Sequence, residues 1–229
     1  MSDWVARRRA TARQALGVGV ATGVYGVSFG AIATGSGLSV TQACALSVLA
    51  FTGASQFAFV GVTAVGGSPL SGAATAVLLG TRNALYGLRL TPLLGLRGAR
   101  RAVGAHLVID ESTAVALGQP TERAARLGFW ATGLAVYVLW NAATLLGAVG
   151  GEALGDPRAL GLDAAVPAAF VALLAPRLRG REPWALALTA AGLALVLVPV
   201  SPAGTPVLAA ALAALLWPVA ADRRFRARW

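Results

Sequence analysis

The residues able to do chemistry in this chain are few, and most of them sit among apolar neighbours. Arg82 follows Val77-Leu78-Leu79-Gly80-Thr81 and precedes Asn83-Ala84-Leu85-Tyr86-Gly87-Leu88. A guanidinium in such a setting either binds a carboxylate, from a cargo molecule or from the protein, or snorkels toward a wet surface. Arg89 lies on the same helical face and close enough to the Arg97 end to snorkel. His106, Asp110 and Glu111 occupy a second apolar stretch, and His106 and Asp110 are four apart, hence neighbours on a helix. Acids at membrane depth point to a proton relay, an ion site or a partner for Arg82. The competing reading is an interfacial helix with its acids in headgroup water. The third group is Phe51-Thr52-Gly53-Ala54-Ser55-Gln56-Phe57, which interrupts the apolar run from Leu46 to Val62 with two hydroxyls, a carboxamide and a glycine. An unpaired polar group in hydrocarbon costs several kcal/mol, so this break must face a partner helix or a cavity.

Other chemistries are poorly served. A single histidine and a single cysteine, Cys44, offer neither a metal cluster nor an intramolecular disulfide, and no metal or cofactor is expected. There is no His-Glu-x-x-His pair or phosphate loop, and no catalytic constellation assembles, so the chain does not read as an enzyme. Asp163 opens an apolar segment, where capping a helix N-terminus is a sufficient role.

Positioning these groups falls to membrane helices. The 229 residues are 57% hydrophobic and only 12% charged, where a soluble domain carries about 25% charged residues. Apolar runs of roughly 20 residues recur along the chain, the length that crosses hydrocarbon as a helix. The expected fold is all-α: a polytopic membrane protein with six to eight transmembrane segments, forming one domain over 1–229 in the inner (cytoplasmic) membrane. Residues 1–14 and 222–229 read as basic cytoplasmic tails. The net charge of +10 does not point to nucleic acid. All 19 basic residues are Arg, most of them in short clusters between apolar runs, as the positive-inside bias places loop anchors.

Apolar segments fall at about 15–35, 42–65, 70–95, 103–119, 128–150, 162–177, 184–200 and 205–221, separated by Gly, Pro and Ser turns. Their parity conflicts with the charge bias in the N-terminal half. If 103–119 spans, the Arg97–Arg101 cluster lands outside. If it does not, Arg7–Arg13 lands outside, unless an early segment is re-entrant. A broken or re-entrant helix near 51–57 is the best candidate, since such elements occur where they line a cavity. Glycines 19, 23, 26 and 30 allow close helix contact, either within the fold or at a subunit interface. The weak likeness of Gly30–Ser39 to Gly147–Gly155 allows an internal repeat.

Taken in order, several segments resemble the AzlC family of branched-chain amino acid permeases, the large subunit of two-component exporters. They are Gly23-Val-Tyr-Gly-Val-Ser-Phe-Gly30, Phe51-Thr-Gly-Ala-Ser-Gln-Phe57, Arg82 to Gly87, Asp110-Glu111, and Leu160 to Phe170 with the basic Arg177–Arg181 loop. The likeness covers about residues 15 to 200. The chain departs from the family pattern at Val24, Gly80 and Asn83, which bears on selectivity if those positions meet cargo. The resemblance implies a small hydrophobic partner subunit of the AzlD type, a neutral amino acid as cargo, and export driven by proton motive force. On that reading Gly53, Ser55, Gln56, Phe57, Phe29, Arg82 and Asn83 surround the substrate, with Phe59 extending the apolar wall. Asp110, Glu111 and His106 carry the proton or ion coupling. A non-transporting scaffold subunit of a two-component complex is the alternative.

Overall fold

The computed structural model describes residues 2–154, 168, 171, 174–202 and 204–226. Asp163 and most of the expected segment 162–177 lie outside them. The described residues are helical and contain no strand. The helices are α1 (Ser2–Gly35), α2 (Val40–Leu49), α3 (Ala54–Ala64), α4 (Pro69–Leu94), α5 (Ala99–His106), α6 (Asp110–Leu117), α7 (Glu122–Leu154), α8 (Arg181–Leu197) and α9 (Thr205–Arg226), with a 3₁₀ turn at Ala175–Arg177. The described parts of both basic ends are helical, since α1 begins at Ser2 and α9 runs to Arg226. The chain divides into two compact units. One is Met1–Phe57 with Gly80–Asp163, and the other is Ala58–Leu79 with Ala164–Trp229.

In the first unit, α1 and α7 are both long and apolar enough to cross a membrane. They lie side by side and parallel. Arg123 at the start of α7 sits 3.9 Å over the ring of Trp4 at the start of α1, and Gly151 near the end of α7 meets Ala31 and Thr34. The glycine stripe on α1 makes the seam. A Cβ at Gly19 would come within 2.8 Å of the Ala135 Cβ, and one at Gly26 within 2.6 Å of the Trp140 carbonyl oxygen. Gly30 abuts the Thr144 carbonyl, and Gly147 returns the contact against Val27. The close approach that these spacings permit is therefore used inside the chain, backbone against backbone.

Two expected apolar segments do not run as single helices. The stretch 42–65 is broken between α2 and α3, with Gly53 at φ +60°, a left-handed conformation suited to glycine. The stretch 103–119, expected as one segment, is broken between α5 and α6 at Leu107–Ile109. The physical reason is local. Asp110 and Glu111 occupy the first turn of α6, where the positive end of a helix favours acids. The Ser112 hydroxyl accepts the Ile109 N–H at 3.1 Å and donates to the Leu107 carbonyl at 2.6 Å, replacing bonds that a continuous helix would make.

Both broken elements double back. Arg126 Nε on α7 donates to the Leu93 carbonyl at 2.8 Å, so the end of α4 lies beside the start of α7. From there α5 runs inward until Leu107 meets Gly133. Helix α6 then returns: Val115 meets Gly128, and Gln119 accepts from Thr11 at 3.1 Å and donates to Gln14 at 3.0 Å. The α5–α6 hairpin thus enters and leaves at the end that holds Arg7–Arg13, Arg97–Arg101, Arg123 and Arg126. Helix α2 comes from the opposite end. Ser47 donates to Thr144 at 3.2 Å, Phe51 touches Tyr137, and Phe57 in the first turn of α3 is back beside Trp140 and Phe29.

In the second unit, Phe59 on α3 packs on Gly72, where a Cβ would lie 3.0 Å from its ring. Gly204, at φ +93°, rests against Ser71 and Val62, and α8 and α9 pack on one another.

Candidate functional site where two hairpins meet

The turns of the two hairpins meet around Tyr137. The Phe51 ring stands edge-on to Tyr137 with centroids 5.0 Å apart, and the exposed His106 ring lies 5.6 Å from Tyr137 and 6.0 Å from Phe51. The polar link between the turns is Arg82, from the middle of α4. Its Nε donates to Asp110 Oδ1 at 3.1 Å and its Nη2 to Asp110 Oδ2 at 3.2 Å, a two-pronged pair. Nη2 also reaches the Thr52 carbonyl at 3.5 Å. The pair is not sealed, since the two side chains are 23% and 26% exposed. Of the two readings of Arg82, it binds a carboxylate, and that carboxylate belongs to the protein. Glu111, beside Asp110, turns toward Thr22 on α1.

Gln56 is 1% exposed and fully engaged. Its Oε1 accepts the Gly53 N–H at 3.2 Å, and its Nε2 donates to the Leu46 carbonyl at 3.0 Å. It therefore closes the first break as Ser112 closes the second. In each case the third residue of the new helix accepts the N–H three positions before it and donates to a carbonyl of the preceding segment, which at Leu46 also accepts the Ala50 N–H at 2.9 Å.

Three polar atoms near the first turn have no partner among the described residues, Ser55 Oγ, Asn83 Oδ1 and Trp140 Nε1. Ser55 faces α4 where Gly80 leaves space: a Cβ at position 80 would lie 3.3 Å from the hydroxyl. Asn83 follows on α4 three residues later, on the same face. The hydroxyl can donate or accept, the amide oxygen accepts and the indole N–H donates. Phe29, Phe57 and Trp140 form a buried aromatic triad beside them, with centroids 5.5 to 6.1 Å apart. Phe59 belongs to the second unit.

The hairpins thus bring Gly53, Ser55, Gln56, Phe57 and Phe29 to one turn, with Arg82 and Asn83 on α4 and Asp110, Glu111 and His106 at the other. Tyr137, Trp140 and the Thr52 carbonyl were not singled out from sequence. Tyr137 and Trp140 lie in an unbroken apolar helix with nothing local to mark them. The second turn was legible in principle, because β-branched Val108-Ile109 before Asp110-Glu111-Ser112 is a helix-start pattern. No group of three or more His, Cys, Asp or Glu among the described residues could hold a metal ion.

These features define a helical membrane protein in which the turns of two broken helices come together. The chain belongs to the AzlC family, whose model ("AzlC protein") matches residues 17–154. It is also 32% identical over 157 residues to a protein of Archaeoglobus fulgidus described as an "uncharacterized membrane protein". That match covers 68% of this chain and 68% of the relative. No solved structure matches the chain.

Proposed function

We propose that this chain is the large subunit of a secondary transporter that exports branched-chain or similar neutral amino acids. It works with a small AzlD-type subunit and is driven by the proton motive force. The observation that carries the reading is the meeting of the turns of two broken helices, bridged by Arg82, in a membrane protein of this family. Backbone that doubles back at membrane depth is tolerated where it is buried in protein or lines a wet cavity, and discontinuous helices build cargo sites in transporters. The groups at the meeting point suit a neutral amino acid. Arg82 and the Ser55 hydroxyl serve its carboxylate, Asn83 Oδ1 and the acids Asp110 and Glu111 its ammonium, and Phe29, Phe57 and Trp140 its side chain. The positive-inside bias places the arginine-rich end of the first unit in the cytoplasm, with the chain in the cytoplasmic membrane.

The deciding experiment is efflux of preloaded labelled leucine, valine or methionine from cells expressing this chain, with and without a candidate small subunit. Accelerated efflux is expected with both present. Stable assembly of the two without efflux of any amino acid would replace the transporter with a scaffold. The α1 glycines no longer argue for that alternative, since α7 of the same chain occupies them.

A further inference from the structure

We infer that the Asp110 carboxylate occupies the carboxylate-binding fork of Arg82 as an internal stand-in for cargo, and that an incoming α-carboxylate displaces it. The inference rests on the transport reading for the identity of the cargo, but the fork itself can be tested without transport. The geometry is that of ligand recognition. Two N–H donors of one guanidinium meet the two oxygens of one carboxylate at 3.1 and 3.2 Å, the arrangement any free carboxylate would adopt. Such a pair sealed in the interior would serve only the fold. This one is about a quarter exposed on each side, so a solute can reach both partners.

The surroundings provide for the displaced groups. Once Asp110 leaves the fork, its carboxylate becomes a free acceptor, while the Thr52 carbonyl stays 3.5 Å from Nη2. A carboxylate alone would leave the displaced Asp110 charge unmatched. A zwitterion matches it with its ammonium. Selection for a molecule bearing both groups follows from the exchange, because only that molecule replaces what it breaks. The exchange also has a mechanical side. Arg82 joins the first turn at Thr52 to the second at Asp110, so cargo that takes the fork releases one hairpin from the other.

The test uses the purified full-length chain and three ligands: leucine, its oxo-acid 4-methyl-2-oxopentanoate, and sodium formate, the smallest carboxylate. Thermal stability is followed as each is titrated. Wild type should respond to leucine and at least tenfold more weakly to the oxo-acid. Asp110→Ala empties the fork, so millimolar formate should raise its unfolding temperature and the oxo-acid should now bind at least tenfold better than to wild type. The double variant Arg82→Gln/Asp110→Ala should respond to neither. If Asp110→Ala unfolds readily on its own, formate should rescue it, which is the same prediction in stronger form. Indifference of Asp110→Ala to formate and oxo-acid, or an equal response in the double variant, overturns the inference. Rescue by formate in a protein that moves no amino acid would sink the transport reading and leave the fork standing.

Discussion

Replacing Gln56 by leucine removes the two bonds that close the first hairpin while nearly preserving volume, so the effect isolates the polar closure from packing. The Gly53 N–H, now bound at 3.2 Å to a side chain 1% exposed, would lose its partner, while the Leu46 carbonyl would keep the Ala50 N–H at 2.9 Å. A buried polar group stripped of its partner costs about 1–3 kcal/mol. For a chain of this size about 1 kcal/mol moves the unfolding temperature by 2–4 °C, which makes the expected drop roughly 2–12 °C. Gln56→Glu is the informative partner variant. Protonated in this dry setting, it keeps both an acceptor and a donor and should lose less than half as much. Thermal unfolding of the purified chain gives the magnitude, and hydrogen exchange at Gly53 locates it. If Gln56→Leu unfolds with wild type and leaves Gly53 exchange unchanged, Gln56 does not close the turn and the account of the break is wrong.

Two further outcomes follow from the seam and the acids. Gly26→Ala puts a methyl group 2.6 Å from the immovable Trp140 carbonyl, so α1 and α7 must part by most of an ångström, at a cost of about 1–3 kcal/mol. Gly17→Ala on the same helix meets nothing within 4 Å and should be neutral or stabilising by up to about 1 kcal/mol; paired thermal unfolding compares them, and equal effects would contradict the packing described. If Asp110 and Glu111 carry the coupled proton, Asp110→Asn and Glu111→Gln should slow export and flatten its dependence on external pH. Unaltered rate and pH profile in both would remove proton coupling from these residues.

Much of this arrangement was legible from residue types. Gly53 between polar neighbours in an apolar run marked the first break, and Arg82 with Asp110 marked charges that had to meet something at depth. The glycine stripe at 19, 23, 26 and 30 announced a close helix contact. What the sequence did not disclose was the partner in each case. The glycines met α7 of the same chain, which local spacing cannot specify, and Gln56 turned out to bind the backbone of its own turn. The second hairpin was hidden for a different reason. Leu107-Val108-Ile109 is as apolar as the interior of any membrane helix, so hydropathy runs straight through it. Only the helix-start chemistry of Asp110, Glu111 and Ser112 distinguishes it, and the same acids at that depth read equally well as functional groups. Tyr137, where both turns converge, was not visible because its importance comes from two contacts more than 30 residues away in sequence.

The two hairpin turns have an electrical consequence. At each, the end of one helix meets the start of the next, α2 with α3 and α5 with α6, and helix ends carry about half an elementary charge of opposite sign. Each turn is therefore a compact dipole with little net charge, and the Arg82–Asp110 pair adds another. A zwitterion lodged among them would bring no net charge, so the membrane voltage would do almost no work on its passage. Voltage is worth about 2.3 kcal/mol per elementary charge for each 100 mV, and here it would act on a proton borne by Glu111 or Asp110. In a transporter built this way, the current measured across the membrane would count protons alone, while the labelled amino acid would be counted separately, and their ratio would give the stoichiometry directly.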